Sequence, residues 1–248
     1  MRPDDLFSTW PPAEDVPAFR GKGAQGRRCA ALVLTAMALL IAMAVAVGHL
    51  LGDTTGVDSA VSDWFLARRS SGWNTVSRVL SQAADTLIVV GIGVIATVSG
   101  LLRKVRNGLI ILIVGMVGEV LMFLAMTALV SRERPEIPRL DSAPPTSSFP
   151  SGHTFASVTL WGCLAIMARR SKWNGAYQRV LLAIAIVLPF SVAISRLYRG
   201  MHHLTDVLAS IVLGCVWLIV IVRVFPLQTA SIREPSPEGV IPPDRQRR

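Results

Sequence analysis

Residues 108–130 read GLIILIVGMVGEVLMFLAMTALV, a run of 23 positions whose only charge is Glu119. As an α-helix it would rise about 34 Å, enough to cross the roughly 30 Å of a bilayer's hydrocarbon. Similar apolar runs lie on either side, at 29–51, 83–102, 154–168, 180–194 and 205–222. The first run is also long enough to span alone, whereas the last three need polar residues at their ends to reach that length. The expected fold is therefore all-α: an integral-membrane bundle of six transmembrane helices.

The composition agrees, because 52% hydrophobic against 17% charged residues and a mean hydropathy of +0.51 are too apolar for an ordinary soluble domain. Arg27 and Arg28 precede the first run as they would a signal peptide. The run is too long for an h-region and five others follow it, so it reads as an uncleaved helix. Glu119 is expected to face the bundle interior, in a hydrogen-bonding role, because a charge facing lipid is costly.

A formal charge of +9 raises the question of nucleic acid, but no aromatic-basic surface can be traced. The basic residues sit at the ends of the runs. With a cytoplasmic amino terminus, 17 of the 25 fall on the inner side, which places both termini in the cytoplasm. Residues 1–28 and 226–248, rich in Pro, Gly and charge, read as disordered cytoplasmic tails around one membrane domain, 29–225. Between the first two spans, Trp64, Phe65 and Trp73 mix with Arg68, Arg69 and Arg78, which suits short interfacial helices acting as an anchor. Cys29, Cys163 and Cys215 form no metal or disulfide pattern and read as buried, inert thiols. Pro189 in the fifth span reads as a kink.

On this topology three polar segments meet at the outer face: SRERP (131–135), SSFPSGHTF (147–155) and SRLYRGMHHLTD (195–206). Arginine forks match phosphate oxygens, and Ser151 with the amides around Gly152 at a helix start makes an anion cradle. Asp206 lies four residues after His202, on the same helical face, where a carboxylate can orient one ring nitrogen and leave the other as a nucleophile. His203 is also close to Asp206, and spacing alone does not choose between the two rings. His153 can supply a proton to a leaving alcohol. Arg132, Arg139 and Arg199 read as interfacial residues that snorkel.

Arg134–Pro135, the PSGH of residues 150–153, and Ser195–Arg196 followed by His202 and Asp206 resemble the type 2 phosphatidic acid phosphatases. That superfamily also includes vanadium haloperoxidases and glucose-6-phosphatase. The resemblance covers about residues 30–222. It implies that His202 forms a phosphohistidine supported by Asp206, that His153 is the general acid, and that Arg134, Arg196, Ser151 and Gly152 hold the phosphate. No metal or cofactor is expected. One position departs from the pattern: the lysine seven residues before the motif arginine is here Thr127. If the third helix continued through the motif, Thr127 and Arg134 would share a face.

The expected function is that of a bacterial membrane phosphatase acting at the outer face on a polyprenyl diphosphate, phosphatidate or phosphatidylglycerol phosphate. The only partners expected are the phosphorylated lipid substrate and the surrounding membrane lipid. The alternatives are a lipid phosphotransferase using the same histidine, and a weakened lipid-phosphate binder or transporter.

Overall fold

The computed structural model describes residues 23–52, 55–102, 106–143, 145–170 and 174–225. The described residues form eight helices and no strand: α1 (Gly23–Leu51), α2 (Gly56–Leu66), α3 (Ser71–Gln82), α4 (Thr86–Leu102), α5 (Arg106–Leu129), α6 (Gly152–Arg170), α7 (Gly175–Tyr198) and α8 (Leu204–Val224). The tails expected at 1–28 and 226–248 lie outside the described residues, except that 23–28 already belong to α1. Among the described residues, five stretches are long and apolar enough to cross a membrane: α1, Ser71–Leu102 (α3 with α4), α5, α7 and α8. The chain is a multi-pass membrane protein.

The fourth apolar run becomes α6, which is not among those five. The reason lies in its surroundings. It packs against α4, α5, α7 and α8, and its Thr154, Ser157 and Thr159 are wholly buried, so neighbouring helices rather than lipid cover it. Close approach locks this hub: a Cβ on Gly118 of α5 would collide with the Trp217 ring of α8, and one on Gly162 of α6 with Leu218. Trp217 also donates its indole N–H to the Gly115 carbonyl at 3.0 Å, satisfying a buried donor in an apolar core. Glu119 is buried within the bundle, as expected. Of the three thiols only Cys163 is fully buried, and Cys215 is exposed on the outer surface of the bundle.

Helices α2 and α3 are amphipathic with the usual order reversed. Their buried residues are Asp58, Ser62, Ser77 and Ser81, recurring at i, i+4, while Trp64, Trp73, Val76 and Val79 are exposed. The small polar face packs on α7 and α8, and the aromatic face is exposed. Thr55 starts α2 with a capping box closed by Asp58.

Candidate active site

The site is assembled where α5, α6, α7 and α8 end or begin on one side. Helix α5 stops at Leu129, so residues 130–135 are not helical and the expected shared face of Thr127 and Arg134 does not exist. Instead, the Ser148 amide donates to the Arg132 carbonyl at 2.9 Å and the Arg132 amide to Ser147 Oγ at 3.2 Å, laying the arginine segment beside the segment that opens α6. Thr127 and Arg134 still line one cavity of about 1040 Å³, together with Arg139, Glu136 and Ser147.

Ser151 precedes α6; its carbonyl takes the Phe155 N–H at 3.0 Å and its hydroxyl pairs with Thr154 at 3.0 Å. Gly152 opens the helix, where a Cβ would meet the Phe123 ring at 2.9 Å, so only glycine fits beside that ring. His153 follows. At the far side α7 ends in a Schellman motif: Gly200, at φ +71°, donates to the Leu197 carbonyl and Met201 to the Arg196 carbonyl, each at 3.0 Å. The turn delivers His202 and His203 directly into α8, whose start is capped by Asp206 Oδ2 accepting the His203 N–H at 2.9 Å.

This turn separates the two histidines. His202 Nδ1 lies 2.7 Å from the Ser148 carbonyl, which can only accept, so Nδ1 carries the proton and Nε2 keeps its lone pair. Asp206 Oδ2 stands 3.8 Å from the same nitrogen and acts on it as a charge. His203 Nε2 faces the Glu133 carbonyl at 3.2 Å, and its Nδ1 is buried without a partner. Burial pushes the His202 imidazole below the usual histidine range; Asp206 opposes this, while Arg196 and Arg134 add to it. Arg196 and Arg134 also reach His153, which lies within the field of His202 and Asp141 as well.

Arg134 donates to the Met201 carbonyl at 2.6 Å, and Arg196 to Ser81 Oγ at 2.7 Å and Asp141 at 3.3 Å. In both guanidinium groups the Nε–H is buried and unpaired. Buried donors are rarely left so, because each costs the desolvation of a polar group. Thr127 Oγ1 is orphaned in the same way.

Arg132 and Arg199 do not snorkel. Arg132 is sunk between Asp206 (2.5 Å) and Asp58 (2.9 Å), and Arg199 grips both oxygens of Asp141 at 2.5 and 2.6 Å. Each pairs with an aspartate from another segment, fully buried beside Arg132 and partly buried beside Arg199. Arg139 alone of the three stays exposed. Burial raises the Asp141 carboxyl, but its hydrogen bonds and charge contacts with Arg199, with Arg196 beyond, hold it below the usual range. Three contributors escaped the sequence reading: Asp58, Asp141 and Arg69. Arg69, expected as part of a membrane anchor, turns inward to the Tyr198 carbonyl at 3.0 Å and the Pro138 carbonyl at 2.5 Å. The i, i+4 recurrence of small polar residues in α2 and α3 was the available signal.

Together these features define a helical membrane protein with two histidines, a carboxylate and two arginines gathered at one end of the bundle. The chain belongs to the PAP2 superfamily, whose profile matches residues 105–230, just over half of its length. Phosphatidylglycerophosphatase B of Bacillus subtilis (strain 168) is 30% identical over 113 residues, which are 45% of this chain and 55% of that protein. The match thus spans little more than half of the curated relative. Among solved structures, that of the first transmembrane PAP2 type phosphatidylglycerolphosphate phosphatase from Bacillus subtilis shares the fold. The TM-score is 0.64 and the identity 23%, over 75% of this chain and 92% of that one.

Proposed function

We propose that this protein is an integral-membrane phosphatase that removes phosphate from a lipid phosphate or diphosphate through a phosphohistidine on His202. The observation that carries the reading is the pair of orphaned Nε–H groups on Arg134 and Arg196 beside a histidine whose Nδ1 is committed to the Ser148 carbonyl. A phosphoryl group between them would satisfy both donors and meet the free Nε2. Ser151 and the first amides of α6, from Gly152 onward, add neutral donors.

In the first step His202 Nε2 attacks phosphorus, the bond to the leaving oxygen breaks, and His153 gives that oxygen its proton. In the second, His153 takes a proton from water as the water attacks the phosphohistidine, and inorganic phosphate leaves. The arginines stabilise the charge that a metal ion would otherwise balance. Thr127 sits in the cavity beside Arg134, where the rest of the lipid headgroup would lie. On this reading α6 is a sixth span sheathed by its neighbours, α2 and α3 rest in the interface, both termini are cytoplasmic and the site faces outward.

Phosphatidylglycerol phosphate, the substrate type named for both relatives, leads the candidates, with phosphatidate and polyprenyl diphosphate beside it. Purified protein should release phosphate from at least one member of such a panel, with EDTA present throughout. Release that needs added magnesium would overturn the mechanism, and transfer to an added acceptor alcohol in place of release would make the protein a phosphotransferase.

A further inference from the structure

The polar cluster behind the histidines contains more than the carboxylate that faces them. Asp206 Oδ1 receives Arg132 Nη1 at 2.5 Å, and Arg132 Nη2 reaches Asp58 Oδ2 at 2.9 Å; the three side chains are 0–1% exposed. Thr205 closes the ring. Its hydroxyl accepts from Arg132 at 2.7 Å and donates to Asp58 Oδ2 at 2.9 Å, and its amide donates to Asp58 Oδ1 at 3.0 Å. The ring joins α2, the segment after α5 and the first turn of α8.

Its charges add to minus one, and their order matters. A lone arginine on Asp206 would orient the carboxylate but cancel its field at His202. Asp58 restores it by pairing with the other arm of the same guanidinium. Breaking such a pair by removing one partner leaves an uncompensated charge in the interior. We propose that Arg132 and Asp58 are positioning residues: Arg132 holds the Oδ1 edge of Asp206, and Asp58 balances Arg132 so that Asp206 stays oriented and net negative beside His202. This rests on His202 being the nucleophile.

The test follows the sign of the charge. His202 is faced by Asp206 from α8, Arg196 from α7, His153 from α6, Arg134 from the segment after α5, and the Ser148 carbonyl. Only four histidines occur in the chain, so labelled imidazoles can be titrated individually by NMR in the detergent-purified, full-length protein. Asp58→Asn leaves Arg132 unbalanced and should move the His202 midpoint down. Arg132→Gln should move it up, and the double variant should bring it back toward the parent. In the same proteins, Asp58→Asn should lower kcat by about tenfold or more with KM nearly unchanged, and the double variant should recover part of that loss. A purely structural role predicts a double variant no better than the worse single. Midpoints that shift the same way in both singles, or in neither, would overturn the proposal.

Should either single variant fail to fold, Arg132→Lys keeps the charge balance and loses the two-armed grip. It should leave the midpoint in place and lower kcat, and an undiminished kcat would count against positioning. A parent that releases no phosphate from any lipid refutes the phosphatase reading instead, and the midpoints still decide this one.

Discussion

His202 Nδ1 sits 2.7 Å from the carbonyl oxygen of Ser148, five residues before the His153 that shares its site. One consequence is the position of the adduct. Because Nδ1 holds the proton, phosphate should be found on Nε2 of His202, as an acid-labile, base-stable modification visible by mass spectrometry under alkaline conditions. His202→Ala should lose roughly 10⁴-fold or more in turnover. His203→Ala should retain much of it, since the capping bond to Asp206 comes from the backbone N–H of residue 203.

With His202 as the nucleophile proposed above, its depressed imidazole sets the acid limb of activity. The neutral, nucleophilic form persists as pH falls below the ordinary histidine value of about 6.5, so kcat/KM should hold through mildly acidic conditions and drop only further down. A limb at or above that value, in a pH series of initial rates, would contradict the burial described here.

Stability should follow pH with a separate window. Burial alone would raise the Asp58 carboxyl, but the amide and hydroxyl of Thr205, the Thr55 hydroxyl and Arg132 bring it down to about 2. A carboxyl lowered on folding contributes stability that is fully present above its unfolded value and is lost as pH falls through the folded one. The contribution of Asp58 should therefore be intact at pH 5 and fade between about 4 and 2. Comparison of Tm against pH for the parent and Asp58→Asn isolates it, and the two curves should converge at the acid end.

Thr127→Lys should raise activity. The Thr127 hydroxyl is buried without a partner in the cavity that holds Arg134. A charge-assisted hydrogen bond from a lysine there is worth about 1.5–3 kcal/mol, or roughly ten to a hundredfold in kcat/KM. Steady-state phosphate release from matched preparations checks it; a slower, well-folded variant would mean that the pocket is adapted to threonine.

The membrane orientation has its own test. Ser142 is exposed in the loop beside Asp141, whereas Gly175 is exposed at the opposite end of α7 from Arg196, where an added Cβ would meet nothing within 4 Å. A cysteine at Ser142 should react with an impermeant reagent in intact cells, and one at Gly175 only after permeabilisation.

The apolar runs were readable because lipid demands a length and a composition, and each of the six became a helix. The motif segments could be picked out because clustered arginines and a histidine four residues before an aspartate stand apart from apolar runs, and the fold brings those segments to one end of the bundle. What escaped was the wall of the site. Asp58, Ser77 and Ser81 occupy helices whose tryptophans invite a membrane-anchor reading, and the buried face is polar because its partners are Arg132, Arg199 and Arg196. Arg132 and Arg199 looked like surface residues, since a sequence does not reveal that a distant aspartate will pair with them inside the fold. The end of α5 at Leu129 was likewise hidden, as the bonds that draw residues 130–135 aside come from Ser147 and Ser148.

Trp217 seated against Gly118, and Leu218 against Gly162, act like teeth in a ratchet that has been jammed. For α8 to slide or turn, both bulky groups would have to climb over a neighbouring helical turn at once. The spacing between the two histidine-bearing helix ends is thereby set within the bundle, along the facing sides of α5, α6 and α8. On the phosphatase reading proposed above, the catalytic cycle would run without a piston stroke of α8, because that stroke would have to force Trp217 past Gly118 and Leu218 past Gly162.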